Sequence, residues 1–337
     1  MRCERADLKP LLRLSLAIMC MFLVANAAAN GRAEEKAQPI LNAAAERSLL
    51  RADQQFPFRL DASFIVHGLS AKRVDGRYSW LLTSGGDWAK QLAFADYNDL
   101  QIGRGDALWV KRSVDFQPLQ AALVQIAFRV RQYLGQNGET IDRYYTMSEH
   151  HRKLRCADIS RGRLHHTACI DPEGNLAKVK QGLRVEYEYS YHRAVEEKFV
   201  PHKIVATRVG TVLLEISVDQ LSTGEDVVRN VPDPPEGAIH RTGCLAPSLP
   251  RLEDQPRPDY PSHALDAFHQ GQVILYVQVG SDGKVQKAVV TQSAGESLDS
   301  SVLDAVRHAR YEPATCGNTP VESETELSNT FIIQVPD

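Results

Sequence analysis

No excess of charge of either sign marks this 337-residue chain: 39 Lys and Arg face 42 Asp and Glu, a formal net charge of −3. So even a balance gives no argument for nucleic acid or an anionic membrane as partner. Short motifs that carry chemistry are missing as well. There is no G-x-S-x-G, no H-E-x-x-H, no glycine loop built to cradle phosphate, and no paired C-x-x-C or H-x-x-x-H spacing. Ser84-Gly85-Gly86-Asp87 precedes a tryptophan and reads as a turn, and Gly103-Arg104-Gly105-Asp106 reads as a hairpin loop. Asp61, Asp96 and Asp99 have no spacing that argues for an acid and base pair. The expectation is no enzyme, no cofactor and no metal.

Long apolar runs are scarce too. Arg2, Arg5, Lys9 and Arg13 precede an apolar run from Leu14 to Val24, and Ala25-Asn26-Ala27 or Ala27-Ala28-Ala29 fits a small-x-small cleavage site. That run is shorter than the roughly 20 residues of a spanning helix unless the alanines to Ala29 are counted. Residues 1–29 are therefore a signal peptide or a signal anchor, and the chain is expected in the periplasm. Cysteine usage agrees with export. Of six cysteines, Cys3 and Cys20 fall in the leader, leaving Cys156, Cys169, Cys244 and Cys316, an even number. With Gly162-Arg163 as a two-residue hairpin loop, Cys156 sits opposite Cys169 in a pair whose α-carbons are about 4.5 Å apart, within disulfide range. By elimination Cys244 pairs with Cys316. Glu149, His150, His151, His165 and His166 crowd the same region. Consecutive histidines on a strand point to opposite faces, so surface histidines beside a structural disulfide are expected rather than a metal site.

Length predicts two domains. In residues 38–225, strand-like runs cover 58–67, 78–82, 91–94, 98–102, 107–112, 183–191, 201–208 and 211–218. Helical stripes fall at Pro118 to Leu134 and at Ile40 to Gln54. Many antiparallel strands with two helices predict a curved sheet wrapped around a helix. Residues 231–259 hold seven of the 17 prolines and predict an extended strap. From 260 to 337 a short helical run, 262–268, leads into the hairpin Gly271 to Thr291, a helix bearing Leu298, Val302, Leu303, Val306 and Ala309, and a last strand, Leu327 to Val335. The fold class is α+β: an antiparallel β-rich, half-barrel-like N-terminal domain with helices, plus a small ββαβ C-terminal domain.

The C-terminal residues resemble the C-terminal domain of TonB-type energy transducers. The resemblance rests on Tyr260-Pro261 with Ala264, Gly271-x-Val273, Asp282-Gly283-x-Val285, Ser293-x-Gly295, Leu298-Asp299, Ala305-Val306 and Tyr311-x-Pro313. It implies binding of an extended segment of an outer-membrane TonB-dependent receptor, or another envelope protein, by strand addition. The edge would be Asn329, Thr330, Phe331, Ile332, Ile333, Gln334 and Val335. Dimerisation through that edge, as a homodimer, is the other reading. The family's membrane anchor carries a serine and, four residues on, a histidine; here Ser15 is followed by Met19. That departure favours a soluble periplasmic adaptor over motor coupling. The N-terminal domain resembles LolA-like periplasmic carriers through Gly76-x-Tyr78-x-Trp80, Trp88, Leu108-Trp109-Val110 and Leu213-x-Glu215-Ile216. This resemblance implies a lipid cavity lined by Phe64, Tyr78, Trp80, Trp88, Phe94 and Trp109. The alternative for these aromatics is plain core.

Overall fold

The computed structural model describes residues 33–50, 56–67, 73–130, 134, 139–149, 151–161, 164–181, 185–224, 230–254 and 257–333. The expected leader, Gly162-Arg163, His150, Gln334 and Val335 lie outside these residues.

After helix α1 (33–47), five strands run as a meander: β1 (Phe58–Val66), β2 (Val74–Leu82), β3 (Trp88–Phe94), β4 (Tyr97–Arg104) and β5 (Ala107–Arg112). Helix α2 (Leu119–Ala127) interrupts, and seven more strands follow: β6 (Thr140–Glu149), β7 (Arg152–Arg161), β8 (Leu164–Ile170), β9 (Leu176–Gln181), β10 (Val185–Val195), β11 (Lys198–Arg208) and β12 (Thr211–Thr223). β12 pairs with β1, which fuses the two meanders. With β13 (Ile239–Thr242) added beside β5, the result is one 13-stranded antiparallel sheet in the order β13-β5-β4-β3-β2-β1-β12-β11-β10-β9-β8-β7-β6. β1 alternates buried residues with more exposed ones along its length, so one face packs while the other is more open.

The packed face wraps α2. All but two of that helix's nine residues are buried, and the two exceptions are Gln120 and Gln125. A helix this apolar belongs inside a core. Its carbonyls still need donors, and Tyr187 and Tyr189 of β10 reach in to supply hydroxyls to Leu123 O and Ala127 O at 3.3 and 3.1 Å. α1 contributes Ala37, Leu41 and Ala44 to the same core. The stripe predicted for 40–54 is displaced: the helix runs 33–47, and Ser48 already bridges to Phe199 of β11.

Residues 231–259 do not hang free between the domains. Val231 is buried on the outer face against Ala89 and Ile102, β13 joins the large sheet, Cys244 is bonded to Cys316, and β14 (Arg251–Asp254) pairs with β17 (Arg310–Glu312). The C-terminal unit adds α3 (Ser262–Asp266), β15 (Gly271–Val279), β16 (Val285–Gln292), α4 (Glu296–Arg307), the small ribbon β18 (Ala314–Cys316) with β19 (Thr319–Val321), and β20 (Ser323–Phe331). Its main sheet has the order β16-β15-β20. Val273, Leu275, Val277 and Val279 of β15, with Leu327 and Phe331 of β20, face α4 and its Leu298, Val302 and Val306. The opposite face is covered as well: Ile274 belongs to the large domain's core, and Tyr276 lies beside Phe116 with ring centroids 6.4 Å apart.

Two expectations about strands need correcting. The last strand runs Ser323–Phe331, four residues earlier than the apolar pattern predicts, so Ile332 and Ile333 follow it. The reason is charge: Glu324 and Glu326 make the first half look solvated, whereas Glu324 has guanidinium partners inside the protein. Trp109 leaves the expected set of inward aromatics. Strand pairing places Trp80, Lys90, Gln101 and Val110 in one row on the packed face. Alternation then turns Trp109 to the other face, where it lies against the His240 ring.

Candidate functional site

Two features of the fold are open to partners: the edge of the small sheet and a chamber between the domains. At the edge, β20 pairs with β15 over nine positions, from Gly271↔Phe331 to Val279↔Ser323, and no described strand lies on its other side. Its two halves differ. In the first half Glu324 is clamped by both terminal nitrogens of Arg112, at 2.8 Å each, and by Arg241 at 3.2 Å. The second half, Ser328 to Phe331, carries an exposed Thr330 and continues into Ile332, 61% exposed; Phe268, before β15, is 72% exposed. Phe331 itself points into the small core and meets Tyr260 edge-on at 5.1 Å. Of the residues expected along the edge, Asn329 and Thr330 are strand positions with that unpaired side, Phe331 is core, and Ile332 and Ile333 lie beyond the strand.

The residues that carry the C-terminal sequence pattern build this platform. Pro261 opens α3. Tyr260 donates its hydroxyl to His269 O. Gly271 (φ +159°) lets the chain pass Ala294. Asp282 accepts the Lys284 amide at 3.0 Å, and Gly283 adopts φ +75° where any β-carbon would sit 2.0 Å from the Tyr311 carbonyl oxygen, next to Pro313. Leu298 is fully buried. Asp299 accepts from the Ala294 amide and the Ser293 hydroxyl at 2.9 and 2.5 Å, which ties down the entry to α4.

The clamp on Glu324 extends inward. Arg112 also pairs with Asp99 at 3.1 Å, and Asp99 accepts from Gln101 and from Gln125 of α2, each at 3.1 Å. Arg241 bridges Glu324 to Glu322. Burial opposes ionisation of Glu324, yet Arg112 overrides it and holds the carboxyl at about 2. At Asp99 burial wins and its pKa is raised despite Arg112.

Beside this network lies a chamber of about 150 Å³, walled by the inner sheet face, α2, the segment after Cys244 and Glu322 to Glu324. Trp80 and Trp88 line it; Phe64, Tyr78 and Phe94 do not. Phe64 packs over Gly76, and Tyr78 stacks on Phe128 at 4.5 Å, so these two are core. Lys90, which sequence reasoning passed over, projects into the chamber with its ammonium 4.5 Å from the Trp80 ring centroid and 5.1 Å from that of Trp88. Burial, reinforced by Arg129, lowers its pKa to about 7. The signal was available: in Trp88-x-Lys90-x-Leu92 two buried apolar residues flank a lysine at the spacing of one strand face.

On the outer face Cys156 is bonded to Cys169, α-carbons 4.0 Å apart; Cys244, at the chamber wall, is bonded to Cys316. Among the described residues, three acidic groups, Glu149, Glu186 and Glu188, come close enough together to suggest a metal site. They surround the Lys178 ammonium at 2.6, 2.9 and 3.4 Å, which supplies the compensating charge. None of the described helices is long and apolar enough to cross a membrane.

Solved structures similar to the chain include a LolA superfamily protein from Nitrosomonas europaea, 11% identical, with 58% of this chain and 95% of that one covered and a TM-score of 0.40. A DUF1329 family protein from Desulfovibrio piger gives 10% identity, 56% and 92% coverage and a TM-score of 0.40. The MucA/MucB complex of Pseudomonas aeruginosa gives 13% identity, 87% and 93% coverage and a TM-score of 0.25. No curated protein matches the chain. Residues 256–333, which hold α3, β15 to β20 and α4, match the family model of the Gram-negative bacterial TonB protein C-terminal domain.

Proposed function

We propose that the chain works in the cell envelope as a TonB-like protein that takes an extended segment of an outer-membrane receptor onto the free edge of β20. The observation that carries this reading is a strand with a neighbour on one side only, in a unit that matches the TonB C-terminal family. An edge strand presents unpaired amides and carbonyls, and an added strand satisfies them while alternate side chains find pockets. The added segment lies along Ser328 to Ile333, with Asn329 and Thr330 at its centre and the exposed Phe268 and Ile332 as apolar contacts. Two disulfides suit an oxidising compartment, and the N-terminal leader supplies the route there.

The test uses the full chain with Thr330→Cys, probed with cysteine-bearing peptides from the periplasmic segments of the host's outer-membrane receptors. Strand addition predicts cross-links at every second peptide position. It also predicts that N-methylation abolishes binding at one alternate set of peptide amides and is tolerated at the other. Cross-linking of Thr330→Cys to itself, with no receptor peptide captured, would replace this reading by homodimerisation through the edge.

A further inference from the structure

We propose that the chamber between the inner sheet face, α2 and the strap is a binding site for an anionic oxygen group, a carboxylate or a phosphate, held against Lys90. The first reason is the state of Lys90 itself. It is half-buried, and among the described residues it makes no hydrogen bond and no ion pair; it lies over the faces of Trp80 and Trp88. A ring face attracts the charge but takes up none of the ammonium's directed N–H bonds. The acids nearby are committed elsewhere: Asp99 and Glu324 to Arg112, Glu322 to Arg241. Arg129 also lines the chamber, and Glu326 lies near enough to interact with its charge.

The second reason is a surplus of donors around the same space. Trp80 Nε1 and Ser323 Oγ are buried and have no hydrogen-bond partner among the described residues, and both residues line the chamber. A buried donor left unmade is costly, so a donor-lined void is expected to be filled by something that accepts. An oxyanion accepts on every side. Size agrees as well: 150 Å³ has room for about five waters at ~30 Å³ each, and so for a carboxylate or phosphate with a water or two. It is too small for a long acyl chain in this arrangement, since ligand pockets of drug-sized molecules start at about 300 Å³.

The anionic group has two sources, a free ion or the head of an amphiphile whose tail lies along the apolar strap, and the experiment separates them. Sodium phosphate and sodium acetate are titrated into the full-length chain in parallel with laurate, reading calorimetric heat and the fluorescence of Trp80 and Trp88. Saturable binding of one equivalent of any of the three is expected: phosphate or acetate identifies the free ion, laurate alone identifies the amphiphile. Lys90→Met should weaken that binding about 10- to 100-fold, the worth of a charged hydrogen bond, while Lys90→Arg retains it within a few-fold. Lys90→Met removes a half-buried charge that has no ion pair among the described residues, so it should fold with a Tm at or above that of the parent. The proposal falls if none of the three probes saturates, or if Lys90→Met binds as tightly as the parent.

Discussion

Replacing Glu324 by Gln tests how the two domains are held together. The carboxylate is 14% exposed, receives both Arg112 terminal nitrogens at 2.8 Å, and is held at a pKa of about 2 against its ordinary 4.5. A shift of that size, at about 1.36 kcal/mol per unit, corresponds to ~3 kcal/mol of folded-state stabilisation. Breaking a buried pair from one side costs about 3–5 kcal/mol, so the two routes agree. Because the folded pKa is depressed, the stabilisation is complete above pH 4.5 and is lost as pH falls toward 2. Urea unfolding of Glu324→Gln against the parent should therefore show a loss of about 3 kcal/mol at pH 7, shrinking to about 1.4 kcal/mol at pH 3. Proteolysis of the strap should rise in step, since the pair joins the two units across it. A triple replacement, Arg112→Met and Glu324→Leu with Asp99→Asn, should recover most of the loss because neither carboxylate that pairs with Arg112 is left buried alone. A Glu324→Gln variant within about 0.5 kcal/mol of the parent at pH 7, or with a deficit that does not change with pH, would refute the reasoning.

Gly103 lies under the Trp88 indole, where a β-carbon would come within 2.1 Å of Nε1. Gly103→Ala should cost about 1–3 kcal/mol by overpacking and should shift tryptophan emission, whereas Gly85→Ala, with nothing nearer than the Thr83 hydroxyl at 3.8 Å, should be close to neutral on thermal denaturation. Opening the Cys244–Cys316 bond by paired serine substitution frees a loop with a sequence separation of 72 and should destabilise by about 4 kcal/mol on the chain-entropy account, measured by urea unfolding. An unchanged midpoint would mean that β13, β14 and the Arg112 clamp alone fix the strap.

Much of the fold was legible because its signals are local. The Cys156–Cys169 pairing followed from counting outward from a two-residue loop, and the register keeps Cys156 opposite Cys169. The β15–β16 hairpin and the amphipathic α4 followed from period and turn residues. What escaped depends on partners distant in sequence. Glu324 and Glu326 look like solvent-facing residues until Arg112, more than two hundred positions earlier, is placed against the first of them. Lys90 looks like a surface lysine until β2 and β4 flank it on the packed face. Trp109 was assigned by aromatic character, while parity along β5 decides its face. Sequence pattern reports which residues alternate; it does not report which charge waits across the fold.

β20 performs three tasks at once, and they are not independent. Its odd-numbered Leu327 and Phe331 complete the small core, Glu324 docks that core onto the large sheet, and its outer edge is the platform proposed for a receptor segment. A segment confined to Ser328 to Ile333 leaves the clamp intact. A longer one must run past Glu324, where the face toward the large domain is already filled by Arg112 and Arg241. Extending the added strand then means giving up a pair worth ~3 kcal/mol, about two orders of magnitude in affinity. The same displacement would free Arg112, whose other partner, Asp99, is tied through Gln125 to α2 in the half-barrel. Arg112 thus links the clamped half of β20 to α2 and to the wall of the chamber.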